Sequence, residues 1–372
     1  MSVSIKQVNN RSDLKDFIFL PEKLNVDRPN WLPPIYSDEW KYFNPDKNRA
    51  HEYSDSVLFL AMKDNKPVGR IMGIINHRMN EHNDISDARF SCLDAYEDQS
   101  VVHSLLEKVQ SWASSKGMKR LVGPLGFSDQ DPEGFLIEGF QYPATITTNY
   151  NFPWMVDYLE AEGFSKEVDY VVYRIAIPDT MPEIYEKIYK RISRNNEFQV
   201  VEFSSRKHLK KYVQPILSLM NECYTEIYGF MPLDQLDMEE LASKYLPILD
   251  PKYVKVIERQ DQLVAFVIGM PDISDGIRAA RGKLLPFGIL KIMWAARKTE
   301  QLDLLLGGIK KEYRGKGLDV LMGHAMLSSA MESGMKWIDT HHELEHNTKI
   351  RAEMERVGGE VYKRYRVFQK SI

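Results

Sequence analysis

Largely apolar runs of strand length over residues 56–62 and 68–75, with Lys63-Asp64-Asn65-Lys66 between them, predict a β-hairpin. An amphipathic helix follows, marked by Val101, Val102, Leu105, Leu106, Val109 and Trp112 and ended by Gly117. The same order returns in the second half. Residues 254–258 and 263–270 form a second hairpin around Arg259-Gln260-Asp261-Gln262. The short apolar run 303–309 has strand length, and Leu318, Leu321, Met322, Ala325, Met326 and Ala330 give a helix ended by Gly334. Short echoes support the repeat: Ser115-Lys116-Gly117-Met118-Lys119 against Glu332-Ser333-Gly334-Met335-Lys336, and the stretch before Gly163 against the one before Gly358. The chain therefore reads as two tandem domains of one fold, 1–177 and 199–372. The proline-bearing stretch 177–182 marks the boundary, and a polar linker helix within 178–198 joins the halves.

Between the run 303–309 and the helix from Leu318 lies a basic turn, Arg314-Gly315-Lys316-Gly317. A strand entering a helix through such a turn makes an anion site. Turn N–H groups converge, the first helical N–H groups lack partners, and the helix dipole adds partial positive charge. Setting Gly117 on Gly334 places Glu97-Asp98-Gln99-Ser100 at the matching point of the first half. Two acids without glycine are unsuited to a pyrophosphate, so the first domain reads as a partner without an anion loop. Beyond the second-half helix come a strand over 337–343, then Asn347, Ile350, Met354 and Gly358, and a last strand over 362–368.

This order over 303–370, with a weaker match over 199–270, resembles the coenzyme A-binding core of the GNAT superfamily of N-acetyltransferases. Residues 123–164 are also similar to uncharacterised bacterial tandem GNAT-like proteins. The resemblance implies an α/β (α+β) chain of two GNAT-like domains, each a mixed central sheet flanked by helices. It implies acetyl-CoA or another acyl-CoA as donor, without metal, and a small-molecule amine or peptide as acceptor. Donor contacts would come from Ile309, Lys310, Lys311, Arg314, Gly315, Lys316, Gly317, Leu318, Asp319 and Asn347, with a backbone N–H near 309–311 polarising the acyl carbonyl. Asn347 reads equally as a helix N-cap. His341 and Glu343, at the end of the splayed strand, are the candidate catalytic residues, placed on one face by alternation. Tyr224, Tyr228 and Phe230 are acceptor-side candidates, and core positions with equal right. Two positions depart from the family pattern: Asp319 stands where Gly or Ala is usual, and Met354 where a tyrosine often serves as acid.

Composition narrows the reading further. The 372 residues carry a net charge of −4, against a broad nucleic-acid surface. Two cysteines make no disulfide framework, no run of 18 apolar residues occurs, and the start lacks a leader-like segment, so a cytoplasmic protein is expected. Asp129, Asp131, Glu133 and Gly134 match the opening of a calcium loop, but position 12 is Phe140 rather than Glu. Residues 271–299 form an insertion that mixes six cations with bulky apolar side chains. It suits a lid or groove wall, a helix docked on the sheet, or, least favoured, contact with a membrane. The leading expectation is an acyl-CoA-dependent N-acyltransferase acting through the second domain. A non-catalytic acyl-CoA-binding or scaffold protein and a Fem-like transferase with an aminoacyl-tRNA donor are the alternatives.

Overall fold

A computed structural model describes residues 2–194 and 197–372, so residues 195 and 196 of the expected linker lie outside the described residues. The chain runs β1 (Ser4–Gln7), α1 (Arg11–Leu24), α2 (Tyr36–Tyr42), β2 (Ser54–Lys63), β3 (Lys66–Asn76), α3 (His77–Asn83) and β4 (Asp87–Ala95). It continues through α4 (Gln99–Ser115), β5 (Arg120–Gly123), β6 (Phe135–Glu138), α5 (Trp154–Ala161) and β7 (Ser165–Ala176). Then come α6 (Glu183–Ser193), β8 (Gln199–Glu202), α7 (Arg206–Cys223), α8 (Gln235–Tyr245), β9 (Val254–Arg259) and β10 (Gln262–Pro271). The last elements are α9 (Ser274–Ala280), α10 (Gly288–Lys298), β11 (Gln301–Ile309), α11 (Leu318–Glu332), β12 (Trp337–Asp339), β13 (Glu343–Leu344), α12 (Thr348–Arg356) and β14 (Glu360–Ser371).

Two compact units result. The first holds the residues up to Val171 together with Ile273–Ala295 and Tyr362–Ile372; the second holds Val172–Asp272 and Ala296–Val361. This division differs from the sequence-based one in residues 172–177, which join the second unit, and in two segments that join the first, for which hydrogen bonding gives the reason. The C-terminal strand β14 is antiparallel to β5, Phe368 opposite Gly123, and also to β6, Arg366 opposite Phe135. The inserted segment is tied to residue 36, whose N–H donates to Gly282 O at 3.0 Å, and to Ala144, whose carbonyl accepts from Arg278 Nη1 at 2.9 Å.

In the first unit the strand order is β1-β2-β3-β4-β5-β14, with the first half of β7 next. Helices α4 and α5 pack one sheet face through Val102, Leu105, Val109 and Leu159, and α1 and α2 pack the other through Phe17, Ile18 and Tyr36. In the second unit the order is β7 (its second half)-β12-β11-β10-β9-β8. Helices α7 and α8 cover one face through Leu209, Ile216, Leu219 and Met238, and α11 covers the other through Leu318, Leu321 and Met322. Both units are thus mixed sheets between helices.

The polar helix expected as a linker, α6, is packed. The ring of its Tyr189 stacks on His324 of α11 at 4.1 Å, and Glu186 lies 3.3 Å from the same imidazole. The strand expected over 337–343 is broken. β12 stops at Asp339 because His341 adopts φ +55°, with its N–H donating to Asp339 Oδ1 at 2.8 Å. Alternation therefore does not run from His341 to Glu343, and the one-face argument for that pair fails.

Candidate active site

Strands β11 and β12 run parallel for only three pairs, Gln301–Trp337, Leu302–Ile338 and Asp303–Asp339. β11 continues to Ile309, so its last six residues have no β12 partner, and a wedge opens at the Asp303–Asp339 pair. On its other edge β11 keeps its ladder with β10, interrupted by a bulge: Ile268 pairs with Leu306 and Gly269 with Leu304, leaving Leu305 extra. Past the bulge, Lys310 N–H donates to Val264 O at 2.9 Å. That engages one of the expected carbonyl-polarising groups with β10. The alternation of an antiparallel ladder turns the polar groups of Ile309 the other way, into the wedge. Arg314 Nε bonds the Ile309 carbonyl from there at 3.1 Å. Deeper in the wedge the Tyr224 hydroxyl spans Gly307, donating to its carbonyl and accepting from its N–H, both at 3.1 Å. The Ile309 N–H faces the wedge in the same way.

The basic turn closes the upper end of β11. Gly315 and Gly317 have φ of +76° and +83°, a region that costs glycine little and side chains much. Gly317 is the N-cap of α11 and no side chain caps that end, while Arg314 and Lys316 are exposed beside it. The two glycines differ in surroundings. A Cβ at Gly315 would meet nothing within 4 Å, whereas one at Gly317 would lie 2.5 Å from the Ile192 side chain of α6. The Gly315 side of this turn is open, and the Gly317 side is apolar. Asp319 in the first turn of α11 faces Tyr185 and Glu353, and its charge helps raise the pKa of both, after burial. At the matching helix end of the first unit, Asp98 accepts from Ser100 N and Val101 N and pairs with Lys63. A side-chain carboxylate fills that anion position.

At the closed end of the wedge, where β11 and β12 part, three titratable groups meet that the sequence only partly reveals. Asp303 and Asp339 are buried, and with His341 they offer ligand atoms all within 4.8 Å of one another. Asp303 Oδ1 accepts from Gln301 Nε2 at 2.9 Å, and Oδ2 stands 3.7 Å from His341 Nε2. Burial pushes the Asp303 carboxyl above its ordinary range, with His341 acting in the opposite sense. An aspartate beginning an apolar strand, and another inside Trp337-Ile338-Asp339, were the available signals. Neither stands out in the sequence, because a strand interior gives no hint of which chain will face it.

The other expected residues sort by place. Glu343, on β13, has a carboxyl raised to about 8 by burial and then by the charge of Glu353. Asn347 caps α12, accepting from Ile350 N at 3.4 Å, which is its bland role. Phe230 is buried in the core beneath α7, edge-on to Tyr224 at 5.6 Å, and the Tyr224 hydroxyl reaches Gly307 of β11. Tyr228 is half-buried. Lys310 lies between Glu222 and Glu312, each 3.7 Å away, and Lys311 opens a short turn of helix. Met354 contributes no acid; the hydroxyl bonded beside α12 belongs to Tyr173, which donates to Glu355 at 3.1 Å and accepts from Arg351 at 2.9 Å.

No family model matches the chain. It is 27% identical over 379 residues to the bacterial ceramide synthase of Caulobacter vibrioides, covering 100% of this chain and 98% of that protein. It is 25% identical over 372 residues to protein YghO of Escherichia coli, covering 98% and 94%. Among solved structures, a tandem GNAT protein from the clavulanic acid biosynthesis pathway superposes with a TM-score of 0.55 at 11% identity, covering 100% of this chain and 98% of that one. The chain thus has the tandem GNAT fold.

Proposed function

We propose that the second unit is an acyl-CoA-dependent N-acyltransferase whose acceptor is a long-chain amine. The observation that carries the reading is the wedge between β11 and β12, with the Ile309 N–H turned into its wide end and His341 where the two strands part. Fold alone would support acyl transfer of some kind. The acceptor class rests on the full-length similarity to a protein named a ceramide synthase, since a ceramide is an N-acylated long-chain amine.

The chain's own groups divide the work. Ile309 N–H donates to the thioester oxygen, where negative charge develops as the amine attacks. The proton that the amine nitrogen sheds, while the C–N bond forms and the C–S bond breaks, would reach His341 through intervening water, since the imidazole stands beside Asp303, six β11 residues from Ile309. Asp303 orients the imidazole and favours its charged form. Glu343 is the second base within the same unit, its carboxyl poised near neutrality. The leaving thiol needs little acid help, because its ordinary pKa is about 8.5. Arg314, Lys316 and the N–H groups about Gly315 would hold the donor's phosphates.

The test is release of free thiol from palmitoyl-CoA and acetyl-CoA by the purified chain, with a panel of long-chain and short polar amines. Thiol release should require the long-chain amines and be lost in His341→Ala. A rise in melting temperature with CoA or desulfo-CoA, without turnover of any amine, would instead establish the binding-protein alternative. That second reading has one observation in its favour, the Ile192 side chain against Gly317. A Fem-like transferase would require tRNA binding, which a retardation assay reads directly.

A further inference from the structure

The segment holding α9 and α10 presents an apolar face to solvent. Leu285, Phe287, Leu290 and Trp294 are 78%, 66%, 62% and 65% exposed, and Ile289 and Met293 beside them are also exposed. Residues 290 and 294 fall on one side of α10, in register with Phe287 just before it, with 289 and 293 at the flank, the spacing of a helix stripe. A stripe of this kind on a single-chain protein ordinarily faces its core. Here Ala295, with half-buried Ile292, faces inward.

The outward setting is built into the packing. Gly276 of α9 lets the helices cross closely: a Cβ there would lie 2.5 Å from Ile292 Cα and 2.9 Å from Ala295 Cβ. Gly282 sits so near the Pro34 carbonyl that a Cβ would come within 2.1 Å of it, and Lys291 Nζ bonds Ala279 O at 2.9 Å. Arg278 is held by Asp275 at 2.8 Å and by the Ala144 carbonyl at 2.9 Å. The hairpin is anchored on its inner side, and its apolar side is left over.

Charge identifies the partner. From Gly276 to Lys298 the chain has three arginines and three lysines and no acid, in a protein whose net charge is −4. Arg281, Lys283, Arg297 and Lys298 are exposed around the apolar stripe. No helix among the described residues is long and apolar enough to cross a membrane, so the segment's scale is that of surface insertion. We propose that α10 and the preceding Leu285-Pro286-Phe287 tip dock the protein on an anionic lipid bilayer, with the bulky side chains among the headgroups and the cations against lipid phosphates. A membrane was the least favoured sequence reading of this segment; the exposure of the stripe reverses that order.

The experiment is co-sedimentation of the full chain with phosphatidylcholine vesicles, with and without phosphatidylglycerol, at low and high salt. Binding should require the anionic lipid and weaken with salt. Arg297→Gln with Lys298→Gln should reduce vesicle affinity on the order of thirtyfold, from the usual contribution of each basic residue near a charged surface. Phe287→Ser with Trp294→Ser should reduce it more, while melting temperature and thiol release from soluble substrates stay unchanged. Absence of sedimentation with either vesicle overturns the proposal. So does a concentration-dependent dimer in analytical ultracentrifugation, without vesicle binding, that the same serine variants dissolve, because the stripe would then be a self-association face.

Discussion

Replacing Glu343 by glutamine separates a buried carboxyl from an ordinary one. Its pKa is raised from 4.5 to about 8, first by burial and then by the charge of Glu353. Below about pH 4.5 folded and unfolded chains both carry the proton. Between the two values the folded chain keeps a proton that the unfolded chain has lost, so stability falls as pH rises; above about 8 the loss is constant. At about 1.4 kcal/mol per pKa unit the ceiling is near 5 kcal/mol, and partial solvent access to the side chain lowers the working figure to about 2 kcal/mol. Glu343→Gln removes this cost. It should melt with wild type near pH 5 and higher than wild type at pH 9, by roughly 5 °C for a unit of this size. Differential scanning fluorimetry across pH 5 to 9 reads the gap. Parallel curves would refute a buried, proton-holding Glu343. If Glu343 also serves as base, thiol release by wild type should climb through pH 8 and flatten in the variant.

Asp303→Asn should lower kcat on the order of a hundredfold with little change in KM for acyl-CoA, and adding His341→Ala should cost little more, because the pair acts as one device. Full additivity in that double variant would show that the carboxylate acts elsewhere. Asp98→Ala removes a cap with two N–H acceptances and the Lys63 pairing, so it should cost about 1 kcal/mol in stability, by chemical denaturation, with CoA affinity unchanged. Asp319→Ala removes a negative charge from the first turn of α11, and CoA titration should show up to roughly tenfold tighter binding, since like charges about 6 Å apart repel by about 0.7 to 3 kcal/mol as the effective dielectric falls from 80 to 20.

What the sequence made legible followed from local periodicity. The hairpins, α4, α11 and the turn at Arg314–Gly317 carry their signals in consecutive residues, and their helix ends fall at Gly117 and Gly334 as read. The break in the strand after Asp339 was hidden, because it depends on one histidine at positive φ held by a carboxylate two residues back. The packing of α6 was hidden too. Its apolar positions, Ile188 and Ile192, lie among charges, and only the tertiary neighbour Gly317 shows what they cover. Asp303 could not be recognised from the run Asp303–Ile309, since its partner His341 is 38 positions away in sequence.

The repeat lets the two units explain each other. Each has a parallel strand pair of three residues, Asp87–Arg89 with Arg120–Val122 and Gln301–Asp303 with Trp337–Asp339, after which the strands part. Each has a bulge on the longer strand just beyond, with Cys92 at φ +51° in the first unit. The third position of the longer strand is Arg89 in one unit and Asp303 in the other. Arg89 Nη1 donates to the carbonyls of Gly126 at 3.0 Å and Phe127 at 3.3 Å, and Leu125 N–H bonds Phe90 O at 2.9 Å, so the chain after β5 occupies the first wedge. Asp131 ties the same loop down by accepting from Phe127 N at 2.8 Å and from the Tyr42 hydroxyl at 3.1 Å, a structural use for a residue of the calcium-like stretch. A buried arginine at this point recruits backbone carbonyls and fills the gap. A buried aspartate at the same point has no such partner to recruit; it faces an imidazole instead, and the gap beyond it stays available to an acyl group. One exchange of charge sign, read together with the Asp98 cap, accounts for why the chemistry is assigned to the second copy.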